Sequence, residues 1–275
     1  MIRMTFCRII SLGVVISTTC WTFQAQGAIS EIPEIMIAAV SELPQGPGPT
    51  RENDNCASSF IEPQTTAAQL VERRGWGVLS EVEMGDYSLV SFAGEFIPGT
   101  SGTCAIRQGN IGVFKGSRLT AIMYTANKSD ELIGELIPTE NGNIRLWSSG
   151  YLEYPVADIR LVSIGLVVRT VASEDAFCDS NIPVPNIFGD KITDAREELQ
   201  AAGWEPEKQP RLEWGQQPSL YDLGVVEVID CSGTGFGFCA YEYERSGASL
   251  HVTTAGELWE NNVPEVANYS VICDP

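Results

Sequence analysis

Apolar positions change their spacing along this chain, and the changes mark its elements. In "IPEIMIAAVSEL", Ile32, Ile35, Met36, Ala39, Val40 and Leu43 recur every three or four residues. Pro33 suits a first helical turn, so the spacing predicts a short amphipathic helix. "PQGPGPTREND" follows with Pro and Gly dominant and no apolar recurrence, the pattern of a linker. In "TTAAQLVERRGW", Thr65 or Thr66 can cap a helix carrying Ala67, Leu70 and Val71 on one face. Arg73 and Arg74 complement its negative end, and Gly75 suits a left-handed stop.

From Val78 to Val171 the pattern turns to short runs rich in Ile, Val, Leu and aromatics, among them "SLVSFAG", "RLTAIMYT" and "DIRLVSIGLVVRTV". These read as strands, and Asn141-Gly142 between two of them is a strong hairpin signal. Past Cys178 the order restarts. "IPVPNIFGDKITDAREELQAAGW" gives an extended entry and then a helix lined by Ile192, Ala195, Leu199 and Ala202, with Asp190 as the expected N-cap and Gly203 as the stop. "VVEVIDC", "FCAYEYE" and "SLHVTT" follow as strands, the last two joined by a turn at Ser246-Gly247.

The two helical segments superpose at a constant offset of 128, which matches Ala67 to Ala195, Val71 to Leu199, Gly75 to Gly203 and Trp76 to Trp204. Downstream, "GTSGTCAI" resembles "GTGFGFCAY". A duplicated helix–Gly-Trp–strands unit is one reading. The other is that any helix–strand junction favours Gly at the stop and an aromatic after it.

The chain has 275 residues, room for two domains. Its first residues combine Arg3 and Arg8, an apolar run from Ile9 to Trp21 and the small-x-small triplet Ala25-Gln26-Gly27, the layout of a secretory signal peptide over 1–27. That run is short for a membrane span, and no later stretch is long and apolar enough for one. Removing Arg3 and Arg8, and no acid, takes the net charge from −19 to −21. Such a chain repels nucleic acid and anionic lipid, and suits a basic partner. Six cysteines remain after cleavage: Cys56, Cys104, Cys178, Cys231, Cys239 and Cys273. An even number in an exported chain reads as disulfides, with fifteen pairings open. The pairing expected is Cys56–Cys104, Cys178–Cys273 and Cys231–Cys239.

Val184-Pro185-Asn186-Ile187, Gly189, Ala195, Leu199 and Ala202-Gly203 resemble a PASTA domain, the small extracytoplasmic module of penicillin-binding proteins and bacterial serine/threonine kinases. The likeness is close over the helix and loose over about 182–255. Trp204 stands where that family has Leu or Tyr, the family's later Gln-Pro is missing from "VVEVIDCSGTG", and two cysteines are added. The resemblance implies an α+β fold in a bacterial envelope protein, and peptidoglycan fragments as the ligand class.

Signals for chemistry are sparse. His251 is the only histidine, so a His-based zinc site is excluded, and no CxxC or G-x-S-x-G occurs. Glu81/Glu83 and Glu242/Glu244 are the carboxylate pairs that share a strand face. "RENDNC" and "SEDAFCDSN" are acidic stretches without the ligand ladder of a calcium loop. Asn127 and Asn268 head glycosylation triplets. In "CSGTGFGFC", an extended chain would put Gly233, Gly235 and Gly237 on one face and Phe236 on the other. The bare glycine face would admit a ring or a ligand. Trp204, Trp214, Gly233, Gly235, Gly237 and Phe236 form the candidate ligand face.

The expectation is thus an α+β chain of two β-rich regions, each with one main helix and stapled by disulfides. It runs as signal peptide 1–27, N-terminal helix and linker 28–55, β-rich α+β domain 56–178 and PASTA-like α+β domain 179–275. It carries no cofactor or metal. Its expected role is a non-enzymatic extracytoplasmic module that binds an envelope protein or peptidoglycan fragment. An inhibitor of a basic enzyme and a carboxylate-dependent hydrolase are the alternatives.

Overall fold

Strand-forming runs dominate the chain, and its computed structural model follows them. It describes residues 27–48, 56–99, 103–127, 130–179, 181–233, 235–245, 247–259 and 262–274. The segment expected as a signal peptide, up to residue 26, and residues 49–55 of the expected Pro/Gly linker lie outside these. Among the described residues no helix is long and apolar enough to cross a membrane.

The expected N-terminal helix is not formed. The chain instead gives β1 (Gly27–Ser30) and β2 (Ile35–Ala39). The run "IMIAA" carries period-two as well as helical spacing, and short apolar runs are decided by their tertiary partner. For β2 that partner is a strand running from Arg118, to which it pairs antiparallel from Ile35↔Thr125 to Ala39↔Ala121. Leu43, beyond the strand, is still buried.

Helix α1 (Thr66–Arg73) starts as the sequence indicates. Thr65 is its N-cap, and its hydroxyl accepts from the Ala68 N–H at 3.1 Å. Then come β3 (Gly77–Met84), β4 (Tyr87–Ala93), β5 (Glu95–Pro98), β6 (Cys104–Arg107), β7 (Asn110–Lys115) and β8 (Arg118–Thr125). One sheet has the order β2-β8-β7-β4-β3, with β5 and β6 as a separate hairpin. Next come β9 (Leu136–Pro138), β10 (Ile144–Trp147), β11 (Pro155–Val162) and β12 (Gly165–Arg169). These form a second sheet, β1-β12-β11-β10-β9, in which β1 runs parallel to β12. The β9–β10 turn is the Asn141-Gly142 hairpin, with Gly142 left-handed at φ 78°.

The two sheets pack face to face. Leu89, Ile111, Val113 and Met123 of one bury against Ile144, Leu146, Ile159 and Val168 of the other. The opposite face of the first sheet carries Val78, Val90, Phe92 and Phe114, and Ala67, Ala68 and Val71 of α1 cover it. The layers are therefore helix, sheet, sheet.

The second unit opens with the hairpin β13 (Glu174–Phe177) and β14 (Ile182–Pro185), which straddles the expected boundary at 178/179. It continues with α2 (Ile192–Ala201), β15 (Glu205–Pro206), α3 (Gln217–Asp222), β16 (Val228–Cys231), β17 (Cys239–Arg245), β18 (Ala248–Ala255) and β19 (Glu265–Cys273). The sheet order is β15-β17-β18-β19, and β16 pairs the same edge of β17 as β15. Ile192, Ala195 and Leu199 of α2 bury on Tyr241, Tyr243, Leu250 and Val252. Asp190 does not cap α2. Lys191 holds the N-cap position without a side-chain bond, and the Ile192 N–H donates to the Pro264 carbonyl, so the approach to β19 satisfies the helix start.

The offset of 128 between the helices has a structural counterpart. Gly75 and Gly203 are left-handed at φ 79° and 87°. The Trp76 N–H then bonds back to Val71 and the Trp204 N–H to Leu199. Each indole N–H donates to a proline carbonyl, Pro44 and Pro183 respectively. The strand that follows is the sheet edge in both units, and an antiparallel meander continues from it. In the glycine–cysteine match each cysteine opens a strand, Cys104 that of the separate β5–β6 hairpin and Cys239 that of β17 in the main sheet of its unit.

The sulfur atoms pair as expected: Cys56 with Cys104, Cys178 with Cys273, and Cys231 with Cys239. Cys178–Cys273 ties the first hairpin of the second unit to its last strand. Such a closure over a long loop stabilises mainly by restricting the unfolded chain.

The units meet through Arg145 on β10. Its Nε donates to Asp158 at 2.9 Å, and Nη1 and Nη2 donate to Asp175 at 2.6 and 2.8 Å. The Tyr269 hydroxyl also donates to Asp175, at 2.8 Å. All three charged side chains are buried. Removing one partner of such a buried pair leaves charge uncompensated. Arg145→Leu is therefore expected to lower unfolding free energy by about 3–5 kcal/mol, read by urea denaturation of the disulfide-intact protein. A loss within about 0.5 kcal/mol, the scale of an ordinary surface change, would contradict this role.

Candidate functional site: the stapled loop and the groove between the units

The stretch "CSGTGFGFC" is a tight loop and not an extended strand. Cys231 and Cys239 face each other across β16 and β17, and the Ser232 N–H donates to the Phe238 carbonyl. Gly235 and Gly237 are left-handed, at φ 74° and 64°, so no common glycine face forms. Gly237 does meet a close backbone: a Cβ there would lie 2.9 Å from the Gly256 carbonyl oxygen. Gly233 and Gly235 face open space.

Gln216, just before α3, ties this loop down. Its amide nitrogen donates to the Gly256 carbonyl at 3.3 Å and approaches the Cys239 sulfur at 3.1 Å, and its oxygen accepts from the Leu258 N–H at 2.7 Å. The Phe236 and Phe238 rings lie 5.7 Å apart, with about a third of each residue exposed. Trp214 is 67% and Trp259 70% exposed. Trp204 leaves the candidate ligand face altogether. It is fully buried beneath α2, because the left-handed Gly203 turns the chain back under the helix. Of the expected face, Trp214 and Phe236 are therefore the exposed aromatics, while Phe238 carries the loop into the groove beside it.

That groove is open, encloses about 630 Å³, and takes its walls from both units. Ile137, Trp147, Tyr151, Leu152 and Glu153 come from the first, and Phe238, Thr253 and Asn268 from the second. The Cys56–Cys104 staple brings Ser59 and Cys104 to its rim. A smaller cavity of about 300 Å³ adjoins it, sharing Ile137, Trp147 and Asn268 and reaching Arg145, Asp175 and Tyr269. Trp147 lies edge-on to Phe188, with centroids 5.1 Å apart. Its indole N–H is buried and has no acceptor among the described residues. Tyr151, Tyr154 and Leu152 leave apolar surface exposed beside it.

Glu153 is the carboxylate of this groove. Burial of its carboxyl against the groove wall, with the charge of Glu135 as a lesser cause, pushes it up to about 7. The residue as a whole is exposed, so solvent reaches the carboxyl and tempers this rise. No cation among the described residues lies within ion-pair distance of it, whereas nearby Glu131 is paired with Arg107 at 3.2 Å.

The sequence singled out other carboxylates, and the structure gives them other work. Burial alone would raise Glu81, but hydrogen bonds from the Thr65 hydroxyl and from the Gln64 and Thr65 N–H groups outweigh it and hold the carboxyl low. It anchors the start of α1. Glu83 accepts from the Ser88 hydroxyl at 2.6 Å. Glu242 lies opposite His251 across β17 and β18, 3.8 Å away on a partly exposed face. Asp175 in "SEDAFCDSN" is occupied by Arg145 and Tyr269. "RENDNC" lies outside the described residues except for Cys56, and the described residues contain no group of three or more side chains placed to hold a metal ion. Asn268 is exposed on β19 at the groove, and Lys128-Ser129 of the other glycosylation triplet lie outside the described residues.

No protein-family model, curated protein or solved structure shows a significant match to this chain.

The Glu153 carboxyl has a consequence for stability. An ordinary glutamate titrates near 4.5, and the folded-state value is about 7. Between these values the folded chain binds more protons than the unfolded one. Stability therefore falls as pH rises from about 4.5 to about 7, and the loss is complete above that window. Glu153→Gln should flatten this segment and raise the urea midpoint at pH 8 relative to the parent, with little change at pH 4.5. Parallel pH profiles for the two proteins would refute it.

Proposed function

We propose that this chain is an exported, non-enzymatic binding module of the bacterial envelope, and that the groove between its units takes a peptidoglycan fragment. The observation that carries the reading is the groove itself: an open trough built half from each unit, with aromatic and aliphatic side chains on its walls and neutral polar groups from Thr253 and Asn268. Flat rings beside hydroxyl and amide groups suit a ligand that alternates apolar faces with hydrogen-bonding edges.

Two further observations support the setting. Three disulfides fit an oxidising compartment. The α2 helix laid on an antiparallel sheet agrees with a PASTA-like second unit, whose family resemblance supplies the ligand class. The unit would be a divergent member, since α3 and the Cys231–Cys239 staple are additions.

A hydrolase is the second reading, favoured by one observation. Glu153, with a carboxyl near 7 in an aromatic groove, has the protonation range of a general acid.

Co-sedimentation with purified peptidoglycan tests the first reading. The protein should pellet with the polymer. Tyr151→Ala and Phe238→Ala should each weaken binding about threefold to tenfold, the effect of losing a stacked ring. Failure to pellet would overturn it. Release of soluble fragments by the parent, absent in Glu153→Gln, would establish the hydrolase instead.

A further inference from the structure

Tyr87, at the start of β4, is a buried phenol whose polar end is left unused. The residue is 7% exposed, and its ring packs into the core between the two sheets of the first unit. Its hydroxyl makes no hydrogen bond among the described residues, and it is not among the polar atoms sealed from solvent. Buried polar side chains normally find a partner, so a donor that is both unpaired and reachable marks a place for one.

Two cations stand beside it. The two-residue turn Gly116-Ser117, with Gly116 left-handed at φ 58°, places Lys115 directly opposite Arg118 across β7 and β8. Like charges so placed repel. The chain has 36 acidic residues against 17 basic, yet neither of these two cations forms an ion pair among the described residues. Both are exposed. The Lys115 ammonium lies 4.6 Å from the centroid of the Tyr87 ring, which ties the pair to the phenol. Glu42 and Asp86 are close in the chain, next to Ser41 and Tyr87, and they too are exposed and pair with neither cation.

These groups line one open cavity of about 400 Å³. The Val40 N–H donates to the Thr120 carbonyl, which holds the chain beyond β2 along the hairpin and brings Val40 and Ser41 to the cavity wall. Ser41 adds a second hydroxyl, whereas that of Thr120 is spent on the Val113 carbonyl. Leu119 and Val40 supply apolar surface. The cavity shares no residue with the groove between the units. Its polar groups are two cations and two hydroxyls, which repel a metal ion and suit an anion with several acceptor oxygens. A phosphate group carries about two negative charges above pH 7 and three free oxygens, so it matches this set better than a carboxylate does.

We propose that this cavity binds a terminal phosphate group. Lys115 and Arg118 neutralise its charge, the Tyr87 hydroxyl donates to one of its oxygens, and Val40 and Leu119 flank whatever the phosphate is attached to. Inorganic phosphate and a phosphate monoester share this chemistry. The site stands apart from the groove and does not depend on what the groove binds.

Titration calorimetry of the disulfide-intact protein at pH 8, in a phosphate-free buffer, tests this with inorganic phosphate, phenyl phosphate and benzoate. Both phosphates should bind, and benzoate about tenfold or more weakly, as expected for one charged contact fewer. Tighter binding of phenyl phosphate than of inorganic phosphate would assign the site to an ester, and equal binding to the free ion. Tyr87→Phe keeps the ring in the core and should weaken phosphate binding about threefold to tenfold. Lys115→Gln combined with Arg118→Gln, both at exposed positions, should weaken it about a hundredfold or more. Binding of neither phosphate by the parent, or undiminished binding by the double variant, overturns the proposal. Benzoate binding as tightly as phenyl phosphate overturns the phosphate assignment, and an unchanged affinity in Tyr87→Phe overturns the role of the phenol.

Discussion

Arg145 holds the two units of this protein in register. Its planar guanidinium reaches Asp158 through Nε and Asp175 through both terminal nitrogens, and Asp175 is shared with the Tyr269 hydroxyl. Asp158 lies opposite Arg145 across β10 and β11, so the first unit supplies arginine and one carboxylate. The second supplies the other carboxylate from β13 and the phenol from β19. The Asp158 carboxylate also accepts from the Ala172 N–H, which fixes the chain as it leaves the first unit. A lysine could not serve both carboxylates in this forked geometry. Buried charges need such full pairing, so the relative placement of the units is held by direction as well as by apolar contact.

The groove follows from that placement. Trp147 is two residues beyond Arg145 on the same strand face, and Asn268 neighbours Tyr269 on β19. Phe188 lies between Trp147 and Tyr269, with centroids 5.1 and 4.5 Å away. The network thus sets the groove floor from both sides. Two stretches of the wall are loops, each held by something stiffer: Phe238 by the Cys231–Cys239 staple and Gln216, and the Tyr151–Glu153 segment by its origin next to β10. Loops on a rigid scaffold are where recognition residues usually sit.

Much of this fold was legible in the sequence, because its signals are local. The α1 and α2 segments show helical spacing with glycine stops, Asn141-Gly142 marks a hairpin, and an even set of cysteines announces staples. What was not legible depends on partners far along the chain. Ile35–Ala39 satisfies helical and strand spacing alike, and pairing with β8 decides it. Gly235 and Gly237 take left-handed turns, which alternation of residue types does not reveal. Trp204 reads as a ring beside a turn, yet the Schellman-type closure at Gly203 folds it inward. Glu153 belongs to no motif, and its setting arises only when segments more than 80 residues apart meet in one groove.

The likeness of the two units separates what builds the core from what builds the groove. Each has a helix, a left-handed glycine, a tryptophan turned back on the helix, an edge strand and an antiparallel meander. In the first unit the edge is the single strand β3. In the second it is broken into β15 and β16, both against β17, and the intervening residues carry α3 and Trp214. Cys231–Cys239 closes the hairpin where the edge resumes. The groove draws on these departures, since Phe238 belongs to the stapled turn and Tyr151 and Glu153 to the loop between β10 and β11. The shared parts bury apolar surface and accept little change without leaving a cavity. Tyr151, Glu153, Phe238 and Trp214 on these segments are exposed, so they can vary in side chain while the Arg145 network keeps the units in place. The composition of the groove is therefore free to change with the two cores left intact.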